Sequence, residues 1–202
     1  MLSVAEVHDA AAMLMQAPLV GAAEVLARPS PIPAAPGVYA WFFRNVPPGV
    51  PVDGCLIRDG MPLLYVGISP KAPPTNGTPV SRQTLRSRVR YHYRGNAEGS
   101  TLRLTLGCLL ADALGIELRR VGSGKRLTFG SGEAALSGWM AANALVSWVE
   151  HPRPWEAEEA LIRSASLPLN LQGNQRHPFH SHLTVIRATA KERARFLPMA
   201  GR

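Results

Sequence analysis

The sequence has no apolar run of the roughly 18 residues that a membrane-spanning helix requires. Its first twenty residues include Glu6 and Asp9, where a secretion signal carries positive charge. The two cysteines, Cys55 and Cys108, stand far apart without CxxC or Cys/His spacing, which excludes a disulfide framework and a thiolate zinc site. We therefore expect a cytoplasmic protein that has no membrane partner.

Lysine is also scarce, since three of the 22 basic residues are lysines and the others are arginines. Against 14 acidic residues, the basic residues give a net charge of +8. Arginine binds phosphate through two parallel hydrogen bonds, so the excess favours a nucleic acid or another polyanion as partner. A genome of high GC content would also favour arginine, and the charge alone leaves both explanations open.

The length and composition indicate one globular α+β domain, because the chain has 202 residues and is 46% hydrophobic and 18% charged. The pattern predicts strands at 37–43, 63–68, 116–121, 125–130 and 145–151, and helices at 3–16, 81–94, 100–115, 132–144, 154–166 and 189–197. These elements interleave without a regular βαβ order. We therefore expect a small, mainly antiparallel, three-stranded central sheet flanked by helices.

Two charged residues lie on the apolar faces of predicted helices. Arg88 falls on the same face as Leu85 and His92, and Glu158 shares its face with Leu161. Burial of a charge is costly unless the charge has a partner. The two residues are either a buried ion pair or a metal-binding carboxylate beside a phosphate-binding arginine, and periodicity does not choose between these.

The other arginines of the helix at 81–94, whose predicted N-cap is Ser81, follow one another at a spacing of four residues: Arg82, Arg86, Arg90 and Arg94. On a helix this spacing makes one outward stripe. The stripe is either a solvated helix face or a set of contacts to nucleic-acid phosphates, and both interpretations stay open.

Five short motifs occur in order along the chain: "GVY" at 37–39, "YVG" at 65–67, "LRSRVRYHY" at 85–93, "EEALI" at 158–162 and "PLN" at 168–170. Within them, His92 follows Arg88 by four residues and Asn170 follows Glu158 by twelve. Together the motifs and spacings resemble the GIY-YIG nuclease superfamily over about residues 36–171. The resemblance implies an endonuclease that hydrolyses DNA phosphodiester bonds to 5′-phosphate and 3′-hydroxyl ends.

The resemblance also implies a role for each motif residue. Tyr39 and Tyr65 would line the site near the attacking water, with Tyr39 as the general base or a proton relay. Arg88 would hold the scissile phosphate, and His92 would support the phosphate or the relay. Glu158 would be the single protein carboxylate on a divalent cation, most naturally Mg²⁺, with Mn²⁺ as its substitute.

Domain boundaries follow from the same resemblance. An N-terminal helix and proline-rich connector (1–35) precede a nuclease domain (36–188), and a C-terminal helix or tail (189–202) follows it. Residues 97–142 form an insert whose role the family pattern does not supply. The long loop between the tyrosine motifs is similar to that of the family's type II restriction endonucleases, and Ile68 and Ser69 stand where the repair branch commonly has a lysine.

Asn170 would orient groups at the edge of the site. The nearby segment "NQRHPFHSH" contains His177, His180 and His182, but it has no cysteine and no clear fourth ligand, which disfavours a zinc site. We expect this segment to lie beside the site, with Asn174 and His177 as DNA-contacting or supporting groups.

Two functions remain open at this stage. The first is a restriction-, repair- or mobile-element-type endonuclease, and the second is a non-catalytic nucleic-acid-binding protein that keeps the fold. The lone metal carboxylate favours the first, because a protein that only binds nucleic acid has no need of it. No separate DNA-binding module is recognisable, which leaves target selection to the inserts, a homodimer or a partner.

Overall fold

The computed structural model describes residues 4–74, residue 79 and residues 81–200, with the side chains of the first helix described from residue 10. The helices of this part of the chain are α1 (Val4–Gln16), α2 (Ala22–Leu26), α3 (Leu85–Arg94), α4 (Thr101–Leu109), α5 (Ala111–Leu114), α6 (Gly132–Asn143), α7 (Pro154–Ser164) and α8 (His180–Phe196). Its strands are β1 (Gly37–Phe43), β2 (Ile57–Arg58), β3 (Met61–Ser69), β4 (Arg119–Val121), β5 (Arg126–Thr128) and β6 (Ala144–Glu150). None of the described helices is both long and apolar enough to cross a bilayer.

The central sheet is antiparallel and has the order β2-β3-β1-β6. Strand β1 lies in the middle, where Tyr39 faces Gly67 of β3 on one side and Trp148 of β6 on the other. The predicted antiparallel sheet of three strands is confirmed, and the two-residue strand β2 adds a fourth at the edge. Strands β4 and β5 pair only with each other and form a separate hairpin.

Both faces of the sheet are covered by helices, which explains why β1 is apolar at every position rather than at alternate ones. One face packs mainly against α2, α3, α4, α6 and α8, and the other against α1 and α7. The β1 side chains on the first face are Tyr39, Trp41 and Phe43, and those on the second are Val38, Ala40 and Phe42. The predicted strand therefore places Tyr39 on the same face as α3.

Helix α3 begins three residues later than the pattern predicts, with Thr84 rather than Ser81 as its N-cap. The Thr84 hydroxyl accepts the Ser87 backbone N–H, and Ser87 returns a hydrogen bond from its own side chain. The proline-rich connector supplies further acceptors, since the carbonyls of residues 33 and 35 accept the N–H groups of residues 86 and 85. The start of the helix is thus set by contacts from residues some fifty positions earlier.

Two other helix predictions were wrong at their ends. The segment 100–115 forms two helices, α4 and α5, separated at Leu110. The last helix, predicted from 189, begins at His180 because Leu183 on its first turns and Ala194 near its end both pack into the main core. The predicted domain boundary at residue 188 therefore falls inside α8.

Candidate active site

Tyr39 lies on the central strand with its ring directly over the backbone of Gly67 on β3. A Cβ atom at position 67 would lie 2.5 Å from the Tyr39 hydroxyl oxygen and 2.7 Å from its Cζ. Any side chain there would displace the tyrosine. Position 67 must therefore be glycine to leave room for the ring of Tyr39.

The Tyr39 hydroxyl is hydrogen-bonded to a buried histidine of α3. Its Oη lies 2.8 Å from His92 Nε2, and both side chains are almost completely shielded from solvent. The other ring nitrogen, Nδ1, lies 2.7 Å from Ser100 Oγ. Ser100 is the N-cap of α4, where its Oγ accepts the Arg103 backbone N–H at 3.1 Å. The tyrosine is thus connected through one imidazole to the start of α4.

The environment of this pair keeps both groups uncharged. Burial lowers the pKa of His92 well below its usual value, and the charges of Arg88 and Arg103 act in the same direction. Burial raises the pKa of Tyr39 to about 12, against the opposing effect of Arg88. A neutral imidazole has one donor and one acceptor nitrogen, so His92 donates a hydrogen bond to one of Tyr39 and Ser100 and accepts one from the other.

Arg88 lies beside these groups on α3, half-buried, and donates from Nη1 to the Gly99 carbonyl at 2.7 Å. Within the described residues no carboxylate oxygen lies within 4.0 Å of its guanidinium. Its charge nevertheless opposes the rise in the pKa of Tyr39 and of Tyr65, and lowers that of His92. The arginine therefore lies near all three rings with most of its N–H groups unused.

Glu158, the second charged motif residue, lies on α7, which packs against the other face of the sheet. It is half-buried on α7 and has no hydrogen-bond or ion-pair partner among the described residues. Burial raises its pKa to about 7, while the charges of Lys71 and then Arg88 act to lower it. The predicted alternative of a buried Arg88–Glu158 ion pair is wrong, because the two groups do not approach within 4.0 Å.

Asn170 acts on the edge of β3. Its Oδ1 accepts the Val66 N–H and its Nδ2 donates to the Val66 carbonyl, both at 2.9 Å. The amide group thereby occupies both backbone groups of Val66, which would otherwise be unpaired at a sheet edge. The Leu169 N–H extends the contact by donating to the Leu64 carbonyl at 3.0 Å. Leu169 and Asn170 together thus hold the backbone on both sides of Tyr65.

A family model described as the GIY-YIG catalytic domain matches residues 37–189. The chain belongs to this family. The match starts at the first residue of β1 and contains every motif residue of the site, so it identifies a nuclease-type catalytic domain. No curated protein and no solved structure gave a match to the chain.

The predicted arginine stripe of the GIY-YIG domain divides into two kinds of residue. Arg86 Nε donates to the Ile32 carbonyl at 2.7 Å, and Arg90 Nη1 donates to the carbonyls of residues 25 and 27, each at 3.2 Å. These two arginines connect the N-terminal segment to α3. Arg82 precedes the helix, and it is exposed like Arg94.

The polar residues after Asn170 have structural roles as well. Asn174 is buried, and its Nδ2 donates to the carbonyls of Leu167 at 2.8 Å and Asn170 at 3.1 Å. This removes Asn174 from the predicted DNA contacts and makes it a supporting residue. Its side chain braces the turn that carries Asn170.

His177 lines a cavity of about 460 Å³ at the C-terminal end of α7, and none of the six motif residues reaches that cavity. Its Nε2 lies 3.1 Å from Ser166 Oγ, and its Nδ1 accepts the Phe179 N–H. Nε2 must then carry the proton, so this imidazole cannot act as a base toward Ser166. Within the described part of the chain, no group of three or more His, Cys, Asp or Glu side chains is placed to hold a metal ion.

A buried ion pair between α4 and α6, which the sequence pattern does not predict, supports α3. Arg103 is fully buried on α4, with Nη2 2.5 Å from Glu133 Oε2 of α6. Its Nη1 also donates to the carbonyls of His92 at 3.1 Å and Tyr93 at 3.2 Å. Leucines flank Arg103 in the sequence, and no periodic signal marks it as special. Arg103 and Glu133, both within the predicted insert at 97–142, therefore support the last turn of α3.

Proposed function

We propose that this GIY-YIG domain is a divalent-metal-dependent endonuclease that hydrolyses DNA phosphodiester bonds, of the restriction, repair or mobile-element type. The observation that carries the proposal is the buried Tyr39–His92 hydrogen bond beside two unneutralised charges, Arg88 and Glu158. A half-buried guanidinium and a half-buried carboxylate that form no ion pair with each other do not stabilise the fold. Both charges are explained by a phosphate and a cation that bind between them.

Tyr39 and His92 provide a path for the proton of the attacking water. When His92 carries its proton on Nδ1 and donates to Ser100, its Nε2 accepts the Tyr39 O–H. Tyr39 can then take a proton from water on Oη while it releases its own proton to Nε2. Because the pKa of Tyr39 is about 12 and that of His92 is depressed, neither charged form accumulates, and the transfer accompanies attack on phosphorus.

Arg88 has the geometry for the charge that develops on the phosphate. One of its nitrogens is occupied by the Gly99 carbonyl, which fixes the direction of the guanidinium plane. Its remaining N–H groups lie beside Tyr39 and can bind two phosphate oxygens at once, as a planar fork does. A fixed donor at a partly buried site stabilises a developing anion without reorganisation.

Glu158 has the properties of a ligand for Mg²⁺ or Mn²⁺. A carboxylate whose pKa is raised by burial and which has no described partner is a poorly satisfied charge. A hard divalent cation prefers oxygen ligands and retains several waters, so one carboxylate with phosphate oxygens and water suffices to hold it. When bound, such a cation polarises the phosphate and stabilises the leaving oxygen.

Plasmid cleavage tests the proposal. We expect the wild type to nick or linearise DNA with Mg²⁺ or Mn²⁺ and not with EDTA. Tyr39→Phe, which removes one oxygen, should reduce the single-turnover rate by about 10²–10⁴-fold, and Arg88→Ala and Glu158→Ala by about 10²–10³-fold.

Two matched variants control for nonspecific effects. Tyr91→Phe removes a hydroxyl whose hydrogen-bond partner among the described residues is Asn96, two residues beyond the end of α3. Glu159→Ala removes an exposed carboxylate one residue from Glu158. Both should cleave at the wild-type rate. If the wild type binds DNA but leaves it intact with every divalent metal, the domain is a non-catalytic nucleic-acid-binding protein. If Glu158→Ala cleaves like Glu159→Ala, the metal assignment is wrong.

A further inference from the structure

Arg187 lies on the inward face of α8, a helix that the family motifs do not include. The side chains at 183 and 194 are buried and those at 186, 187, 190 and 191 are half-buried, whereas the intervening positions are exposed. This spacing defines one face, which packs against α4. An arginine on such a face needs a partner or a cleft that reaches solvent.

The structure supplies few internal partners for this guanidinium. Its single hydrogen bond within the described residues is a long one, 3.4 Å from Nη1 to the hydroxyl of Thr105 on α4. No described carboxylate lies within 4.0 Å of it. By contrast, Arg103, buried on α4, makes hydrogen bonds from three nitrogens and an ion pair. Arg187 is therefore not held as a structural arginine is.

The position of Arg187 connects it with the candidate active site. Thr105 lies on the same helix as Ser100, whose hydroxyl bonds to His92. Burial lowers the pKa of Arg187, while Cys108 of α4 and then Tyr65 act to raise it. The link between Arg187 and the site is therefore α4, which carries Thr105 and is capped by Ser100.

Arg88 and Arg187 contact α4 at different heights. Arg88 donates to Gly99, just before the helix, and Arg187 approaches Thr105, six residues further along. The two guanidinium groups are therefore anchored at different points along this segment. Two such points suit contacts to two phosphates of one DNA strand.

We propose that Arg187 is a second phosphate-binding residue of the nuclease site, which contacts a DNA phosphate next to the one that is cleaved. This proposal rests on the proposed DNA-cleaving function. It accounts for an arginine that is desolvated on an inward helix face without an acidic partner. It also gives α8 a role at the substrate, beyond covering the core.

DNA binding measured with Ca²⁺ in place of Mg²⁺, over a range of salt concentrations, tests Arg187. We expect Arg187→Gln to weaken binding roughly tenfold to a hundredfold, the effect of one charge-assisted hydrogen bond. The slope of log K against log salt should fall by about 0.9, because one phosphate contact is lost. Arg187→Lys should restore most of the slope, since it restores the charge. Thermal unfolding should leave the Tm of Arg187→Gln unchanged or raised.

Two controls separate phosphate contact from other effects. Arg195→Gln removes an exposed arginine two turns further along α8, and Thr105→Val removes the internal hydrogen bond but keeps the guanidinium. Both should keep the wild-type slope. If Arg187→Gln binds with the wild-type affinity and slope, or loses no more than Arg195→Gln, the proposal for Arg187 is overturned while DNA cleavage by the wild type still stands. A wild type that neither binds nor cleaves DNA overturns both proposals.

Discussion

The charge of Glu158 destabilises the folded protein, so Glu158→Gln should make the protein more stable. Burial raises the pKa of this carboxyl from its ordinary value of 4.5 to about 7. Because each pKa unit corresponds to about 1.36 kcal/mol, ionised Glu158 destabilises the fold by about 3 kcal/mol. Glutamine keeps the shape of the side chain and removes the charge.

The sign of the effect depends on pH. Between pH 4.5 and pH 7 the folded protein binds more protons at this residue than the unfolded chain does, so the stability contributed here falls as pH rises. The charges of Lys71 and then Arg88 lower the pKa of Glu158 and so reduce the cost without removing it. Glu158→Gln should therefore match the wild type near pH 4.5 and exceed it most above pH 7.

Thermal unfolding from pH 4.5 to pH 8.5 measures this difference. At pH 8 we expect the Tm of Glu158→Gln to exceed that of the wild type by about 6–12 °C, since a chain of this length shifts by about 2–4 °C per kcal/mol. Mg²⁺ should raise the Tm of the wild type but not that of Glu158→Gln, because a ligand of the folded state stabilises it.

Glu159→Gln is the matched control, because Glu159 is exposed and, in the part of the chain that the structure describes, forms one ion pair, with Arg163 one turn away. It should change stability by less than about 0.5 kcal/mol at every pH. The reasoning is refuted if Glu158→Gln lowers the Tm equally at pH 5 and pH 8, since this would mean that the carboxylate has a stabilising partner in the folded protein.

Three further substitutions test the support of the site. Gly67→Ala should abolish cleavage and lower the free energy of unfolding in urea by about 1–3 kcal/mol, because the added Cβ overlaps the Tyr39 ring. Its control is Gly138→Ala, at an open helix position, which should raise the free energy of unfolding by about 0.5–1 kcal/mol. Arg103→Ala should cost about 3–5 kcal/mol, since it leaves a carboxylate unpaired, and a cost under about 1 kcal/mol would show that the pair is not needed. Ser100→Ala should cost about 0.5–2 kcal/mol through loss of the cap and alter the pH–rate profile, while an unchanged profile would remove the serine from the proton path.

Sequence periodicity predicts well those features that repeat within one element. The tyrosine-bearing strands, the antiparallel sheet and the inward faces of α3 and α7 were all predicted, because an apolar period of two or of 3.6 residues reports the buried side of a strand or helix. The same patterns placed Arg88 and Glu158 on inward faces. The strands predicted at 116–121 and 125–130 correspond to the shorter strands β4 and β5.

Helix ends were predicted less well, because they depend on groups from elsewhere in the chain. Helix α3 starts at Leu85 since connector carbonyls accept its first N–H groups. Helix α8 extends back to His180 since its first turns pack into the core. A single arginine stripe also proved to contain two residues, Arg86 and Arg90, that bind backbone carbonyls of the N-terminal segment.

The sequence by itself determined which residue types are available and which side of each helix or strand is buried, because these follow from the order of polar and apolar residues along one element. Only the tertiary structure decided which of them meet. It leaves Arg88 and Glu158 without an ion pair, joins Tyr39 to His92 and brings Arg187 to Thr105 of α4. Contacts of this kind join residues up to more than a hundred positions apart, and their geometry depends on how the helices pack on the sheet, which no periodicity within one element records.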